Sequence, residues 1–130
     1  MPRLVSSKQL PTQLRTTLTI TGSFAAGFTA AYDQNRIRCP GPVEILNIAL
    51  VNQARGTNAS FQDYACTNPD ALTTDVKTPF EPGTDGVTFK LNLRANELID
   101  FAMFVVMSDP TGANPPVTLF CDPQVGNDPD

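Results

Sequence analysis

Twelve prolines and eight glycines stand in a chain of 130 residues, a breaker about every six or seven positions. Proline removes a backbone donor and clashes with the carbonyl one turn back, so few helices survive that density. The stretches between breakers have the length of strands, and many carry threonine or valine, which suit a pleated, half-buried surface. Hydrophobic residues make up 41% of the chain, enough for a core, and charged ones only 17%. The charged share lies below the roughly 25% usual for soluble domains. Threonine, asparagine, proline and glycine fill the gap. The chain length fits one domain.

Alternation places the strands. In 14–24, Leu14, Leu18, Ile20 and Phe24 share one face, while Arg15, Thr17, Thr19 and Thr21 point the other way. Short strands follow at Phe28–Tyr32 and around Ile37, before the turn Cys39-Pro40-Gly41-Pro42. In Val43–Val51 the alternation slips between Ile45 and Leu46, as at a bulge or in a strand buried on both sides. Phe61–Cys66 reads as a strand or one helical turn. The turn-rich run 66–86 makes a long excursion, of the kind that tends to be functional or partner-bound. Gly86–Arg94 is the cleanest strand, with Val87, Phe89, Leu91 and Leu93 facing in. The run 98–107 is apolar on both faces apart from Asp100, which predicts a strand covered twice, by another sheet, the long loop or a neighbouring subunit. Val117–Cys121 closes the series. The expected fold is all-β: an antiparallel β-sandwich or jelly-roll-like barrel of about six to eight short strands over 14–121. An extended N-terminal arm (1–13) and an acidic C-terminal tail (122–130) flank it.

Several chemistries are excluded by inventory. The chain has no histidine, which removes Ser-His-Asp and Cys-His nucleophile systems and His-containing zinc sites. Nine Lys and Arg against thirteen Asp and Glu give a net charge of −4, which argues against a nucleic-acid partner. No apolar run approaches the roughly 18 residues of a membrane span, so no membrane partner is expected. Met1–Val5 lacks the apolar core of a secretory leader, so none is expected. Cys39, Cys66 and Cys121 form no CxxC pair; three free structural thiols are expected, with a single disulfide as the alternative.

Asp100, within the most apolar run, is the one ionisable group placed as an active-site residue would be. Pairing with arginine or with backbone donors at a sheet edge or subunit contact is the simpler expectation. The acidic groups Asp70/Asp75 and Asp122/Asp128/Asp130 lack calcium-loop spacing, and no metal or cofactor is expected. Asn58-Ala59-Ser60 matches a glycosylation sequon by coincidence, and Pro82–Gly86 has turn chemistry without a phosphate-holding lysine. No catalytic residue is assigned, and the chain reads as a non-enzyme.

Charge is unevenly placed. Residues 1–65 carry six basic and three acidic side chains, a net of +3; residues 66–130 carry three and ten, a net of −7. Such a split arises by chance in a small acidic domain, and it also fits head-to-tail complementarity between copies.

The arm Pro2–Gln13, the threonine-rich strand 14–24, the loop 66–86 and the strand 98–107 together resemble, over the whole chain, an assembly component. In outline it is similar to the small capsid decoration (cement) proteins and related minor virion proteins of tailed bacteriophages. That resemblance implies a homo-oligomer, with a trimer favoured, seated on the outer surface of a virion after synthesis in the host cytoplasm. Its partners would be the major capsid protein or other virion subunits. Arg3, Leu4, Val5 and Leu10 would order on a neighbour. Phe101, Met103 and Val105, or the opposite face of their strand, would form a seam between protomers. The alternatives are a head–tail connector, tail-terminator or fibre-base protein, or a surface adhesion or carbohydrate-binding module.

Overall fold

The computed structural model describes residues 13–33, 36–40, 45–92, 98–122 and 124–128. The arm residues Arg3, Leu4, Val5 and Leu10 lie outside them. The described chain is all-β, with two five-stranded sheets packed as a sandwich and no closed barrel. The first sheet holds, in spatial order, β2 (Gly27–Tyr32), β1 (Gln13–Ser23), β4 (Ile45–Asn52), β7 (Gly86–Leu91) and the two-residue β6 (Leu72–Thr73). The second contains β3 (Arg36–Pro40), β10 (Gln124–Asp128), β8 (Leu98–Ser108) and β5 (Asn58–Cys66). Here β9 (Val117–Cys121) pairs with the later half of β8.

Most pairs are antiparallel, as expected, but β1 runs parallel to β4 and β3 parallel to β10. A parallel neighbour needs a long return connection. Between β1 and β4 the chain makes it through β2 and then through β3 in the other sheet. The tail also departs from expectation. Its residues 124–128 form β10, whose backbone pairs with β3 on one side and with Leu98–Asp100 on the other. Proline and acid content mark 122–130 as an extended tail outside the sandwich, yet hydrogen bonding along a strand uses the backbone, which such composition leaves available except at proline itself.

Alternation puts Leu18, Ile20, Leu46, Ile48, Val87 and Phe89 inward from the first sheet. Phe61, Ile99, Phe101, Met103, Val105 and Met107 face them from the second. The ring of Tyr64 meets Phe89 edge-on at 4.8 Å, and Tyr32 meets Phe101 at 6.3 Å, so aromatic contacts tie the layers together. Tyr32 also donates a hydrogen bond from its hydroxyl to the Cys121 carbonyl at 3.0 Å. Burial pushes its phenol well above the ordinary tyrosine range.

Three local readings change. Thr16 shares the inward face of β1 and is buried, and its hydroxyl donates to the carboxylate of Asp33 just past the end of β2. Phe24 lies in the β1–β2 turn and packs edge-on against Phe28 at 5.0 Å. At Gly22, with φ +107°, a side chain would collide with the Gly27 carbonyl across that hairpin. The bulge lies in β5, between Phe61 and Asp63, while the described pairing of β4 is continuous.

The long excursion after β5 is largely a cover. Thr84 O accepts from the Phe61 amide at 2.7 Å, and the Phe80 amide donates to Gln62 O at 2.8 Å. The loop thus satisfies the edge of β5 that faces away from β8, and Phe80 plugs the core between Phe61 and Tyr64.

Candidate functional site

The strand β8 is central in its sheet, so its side chains are sorted sharply by parity. Odd positions from Ile99 to Met107 are buried against the first sheet. Phe101, Met103 and Val105 are 3%, 0% and 0% exposed, so these expected seam residues belong to the core of a single chain. The physical reason is parity: the first sheet covers one face of β8 completely, which leaves only the even positions to meet anything else.

The even positions Asp100, Ala102, Phe104, Val106 and Ser108 make a mixed outward face with an aromatic centre. Phe104 stands in register with Phe120 of β9 on one side and with Asp63 of β5 on the other. The two rings meet edge-on, with centroids 5.4 Å apart, and Phe120 is 63% exposed. One row along, Ala102 pairs with Ala65, and these small side chains leave a hollow of about 640 Å³ beside Phe120. Asp100, Asp122, Thr67 and Cys66 complete its walls. Asp100 is exposed on this face, contrary to the expectation that its apolar run would bury it. Its backbone is held by Thr67, whose amide donates to Asp100 O at 2.9 Å and whose hydroxyl accepts from Asp100 N at 3.2 Å.

Every charged side chain described on β5, β8 and β9, and at the residue following β9, is acidic: Asp63, Asp100 and Asp122. By backbone register, β3 adds Arg36 and Arg38 at the far edge of the sheet. Cys66 lines the hollow, and Cys121, next to Phe120 in the chain, is buried in the core. Cys66 and Cys121 are free thiols, and burial raises both. Cys121 reaches about 11, with help from the Asp122 carboxylate. Neither has the depressed pKa of a nucleophile.

A second hollow, of about 840 Å³, lies between β5, the end of β4 and the loop 79–85. Its one charged lining residue is Asp85, and Ser60 there accepts from the Gly83 amide at 2.9 Å and donates to Phe61 O. That hydroxyl is committed to structure. Among the described residues no group of three or more potential metal ligands occurs, and no helix is long and apolar enough to cross a membrane.

Inspection of parity alone would have found Phe120. Cys121, Leu119 and Val117 share one face of the last expected strand, which sends Thr118 and Phe120 to the other. The acidic rim was invisible, because it joins Asp63, Asp100 and Asp122, which lie 37 and 22 positions apart in sequence. No protein-family model matches this chain, and no curated protein matches it.

Proposed function

We propose that the chain is a non-enzymatic structural protein of a virion, which decorates and stabilises a capsid shell by binding neighbouring subunits. The observation that supports this reading is the aromatic pair Phe104–Phe120 on the outward face of β8 and β9. A core face and an outward face that both carry phenylalanine make a sheet suited to cover on two sides. Arm residues Arg3, Leu4, Val5 and Leu10 supply a second contact, and many weak copies acting together give a strong attachment. The seam moves from Phe101, Met103 and Val105 to Phe104, Val106 and Phe120.

The test is co-sedimentation of the purified chain with shells assembled from the major capsid protein of the same particle. Wild-type chain is expected on the shells, and a chain lacking residues 1–12, or carrying Phe104→Lys with Phe120→Lys, is expected in the supernatant with its fold intact. Wild-type chain that stays in the supernatant overturns the reading.

The exposed Phe120 beside two carboxylates favours a second reading, a carbohydrate-binding or adhesion module, since aromatic faces with nearby polar groups hold sugar rings. A glycan array separates the two: selective binding lost in Phe120→Ala supports the module. Native mass spectrometry adds the assembly state. A trimer of the 14.0 kDa chain fits a shell-decorating unit, and a larger ring fits a connector or tail terminator.

A further inference from the structure

We infer that the occupant of the β8–β9 outward face is the N-terminal arm, residues 1–12, of a second copy of this chain. The inference deepens the assembly reading above by naming the partner of that face.

Charge complementarity carries it first. Within residues 1–12 the only charged side chains are Arg3 and Lys8, and both are basic. The receiving face presents Asp63, Asp100 and Asp122 around Phe104 and Phe120, with no described cation on those three strands. Leu4, Val5 and Leu10 supply apolar side chains for the hollow, whose Ala65 and Ala102 floor leaves room for them. The polarity of the match follows the charge split of the whole chain, basic early and acidic late.

Reach and placement come second. Twelve residues extend roughly 40 Å at about 3.3 Å each, enough to cross to a neighbour. The arm leads into β1, which lies in the first sheet, whereas the receiving face is the outer surface of the second. An arm returning to its own copy must round an edge of the sandwich, and the loop 79–85 already lies along the β5 edge. A neighbour's arm meets the open face directly. The contact is heterologous, arm to face, so it builds rings or chains of copies.

The experiment is a charge swap, read by sedimentation velocity over a range of concentrations. Wild-type chain is expected to associate as concentration rises. A chain with Arg3→Glu and Lys8→Glu, and one with Asp100→Lys and Asp122→Lys, are each expected to associate at least about tenfold more weakly. Both keep the wild-type circular dichroism, because the face residues changed are exposed. Mixed one to one, the two variants restore association, since each arm then finds a face of opposite charge. Wild-type chain that stays monomeric at every concentration overturns the inference, and so does a mixture that stays unassociated. A monomer whose arm shields Asp100 and Asp122 from its own chain overturns it as well. Association that survives either charge swap overturns it too, whereas association that the swaps weaken and the mixture restores, with shells still undecorated, sinks the virion reading and leaves this one standing.

Discussion

On the outward face of the first sheet, Arg15, Asn47 and Thr88 lie in one cross-strand row; on that of the second, the matching kind of row holds Asp63, Phe104 and Phe120. In the first row the Thr88 hydroxyl donates to Asn47 Oδ1 at 2.7 Å, and Lys90 nearby pairs with Asp75 at 3.5 Å, both well exposed. Such groups hydrogen-bond equally well to water. The second face exposes aromatic surface that water solvates poorly, and surrounds it with carboxylates. Two sheets built on one alternation rule therefore have different relations to solvent, and it is on the second that the proposed partner would sit.

The largest effect that separates the faces comes from comparing phenylalanines across β8 and β9. Phe101→Ala empties a buried site between the sheets and is expected to cost about 3–5 kcal/mol in chemical denaturation. Phe120→Ala removes a mostly exposed ring and one edge contact, and is expected to cost about 1 kcal/mol or less. Binding should rank the other way, with Phe120→Ala impairing self-association and Phe101→Ala, where still folded, sparing it. Lysines introduced at Thr17 and Thr88 on the polar face serve as the control, and association should be unchanged. Equal losses from both faces would erase the distinction.

A smaller effect probes how the two layers are joined. The Tyr32 hydroxyl crosses from the edge strand of the first sheet to the Cys121 carbonyl at the end of β9. Tyr32→Phe keeps the ring against Phe101 and removes that one hydrogen bond, for an expected loss of about 0.5–1.5 kcal/mol. Because Cys121 directly precedes Asp122 and follows Phe120, the same variant should raise the hydrogen-exchange rate of β9 amides. Unchanged exchange there would mean that β9 is held by β8 alone.

The strands themselves were largely legible in the residues. The bounds of Val117–Cys121 are met at both ends, and the inward set Val87, Phe89 and Leu91 is as alternation requires. What stayed hidden depends on pairing between distant segments. The apolar run 98–107 announced cover on both faces, but which parity meets the core is decided by the first sheet, so Phe101 and Phe104 could not be assigned to sides. Asp100 looked buried because its sequence neighbours are apolar, yet in a strand those neighbours point the opposite way. The strand at 124–128 was missed because its stabilisation comes from backbone pairing with two partners, a signal that composition does not carry. The long loop gave no period of its own, since its order derives from the β5 edge it covers.

The smallest expected effect sits in the turn that sets the register of the aromatic pair. Between β8 and β9, the Asp109 carboxylate accepts from the Thr111 amide at 2.9 Å and hydroxyl at 2.7 Å, and from the Asn114 amide at 3.2 Å and side-chain nitrogen at 2.9 Å. These donors, the Thr111 side chain foremost and Asn114 next, hold the carboxyl at about 2, below its ordinary 3.8. The folded turn therefore prefers the ionised acid. Its contribution is complete above about pH 4 and is lost as pH falls through 2, the opposite of what a raised pKa would give. Because the group lies in a turn outside both sheets, the consequence should be local: on acidification the 109–116 turn loosens before the sheets do. A carboxyl carbon titration by NMR should place the Asp109 midpoint near 2, with the Phe120 ring signals shifting over the same range as its register against Phe104 relaxes. A midpoint at the ordinary value would show that the turn does not hold β9 in place, and the outward pairing of Phe104 with Phe120 would then rest on the strand ladder alone.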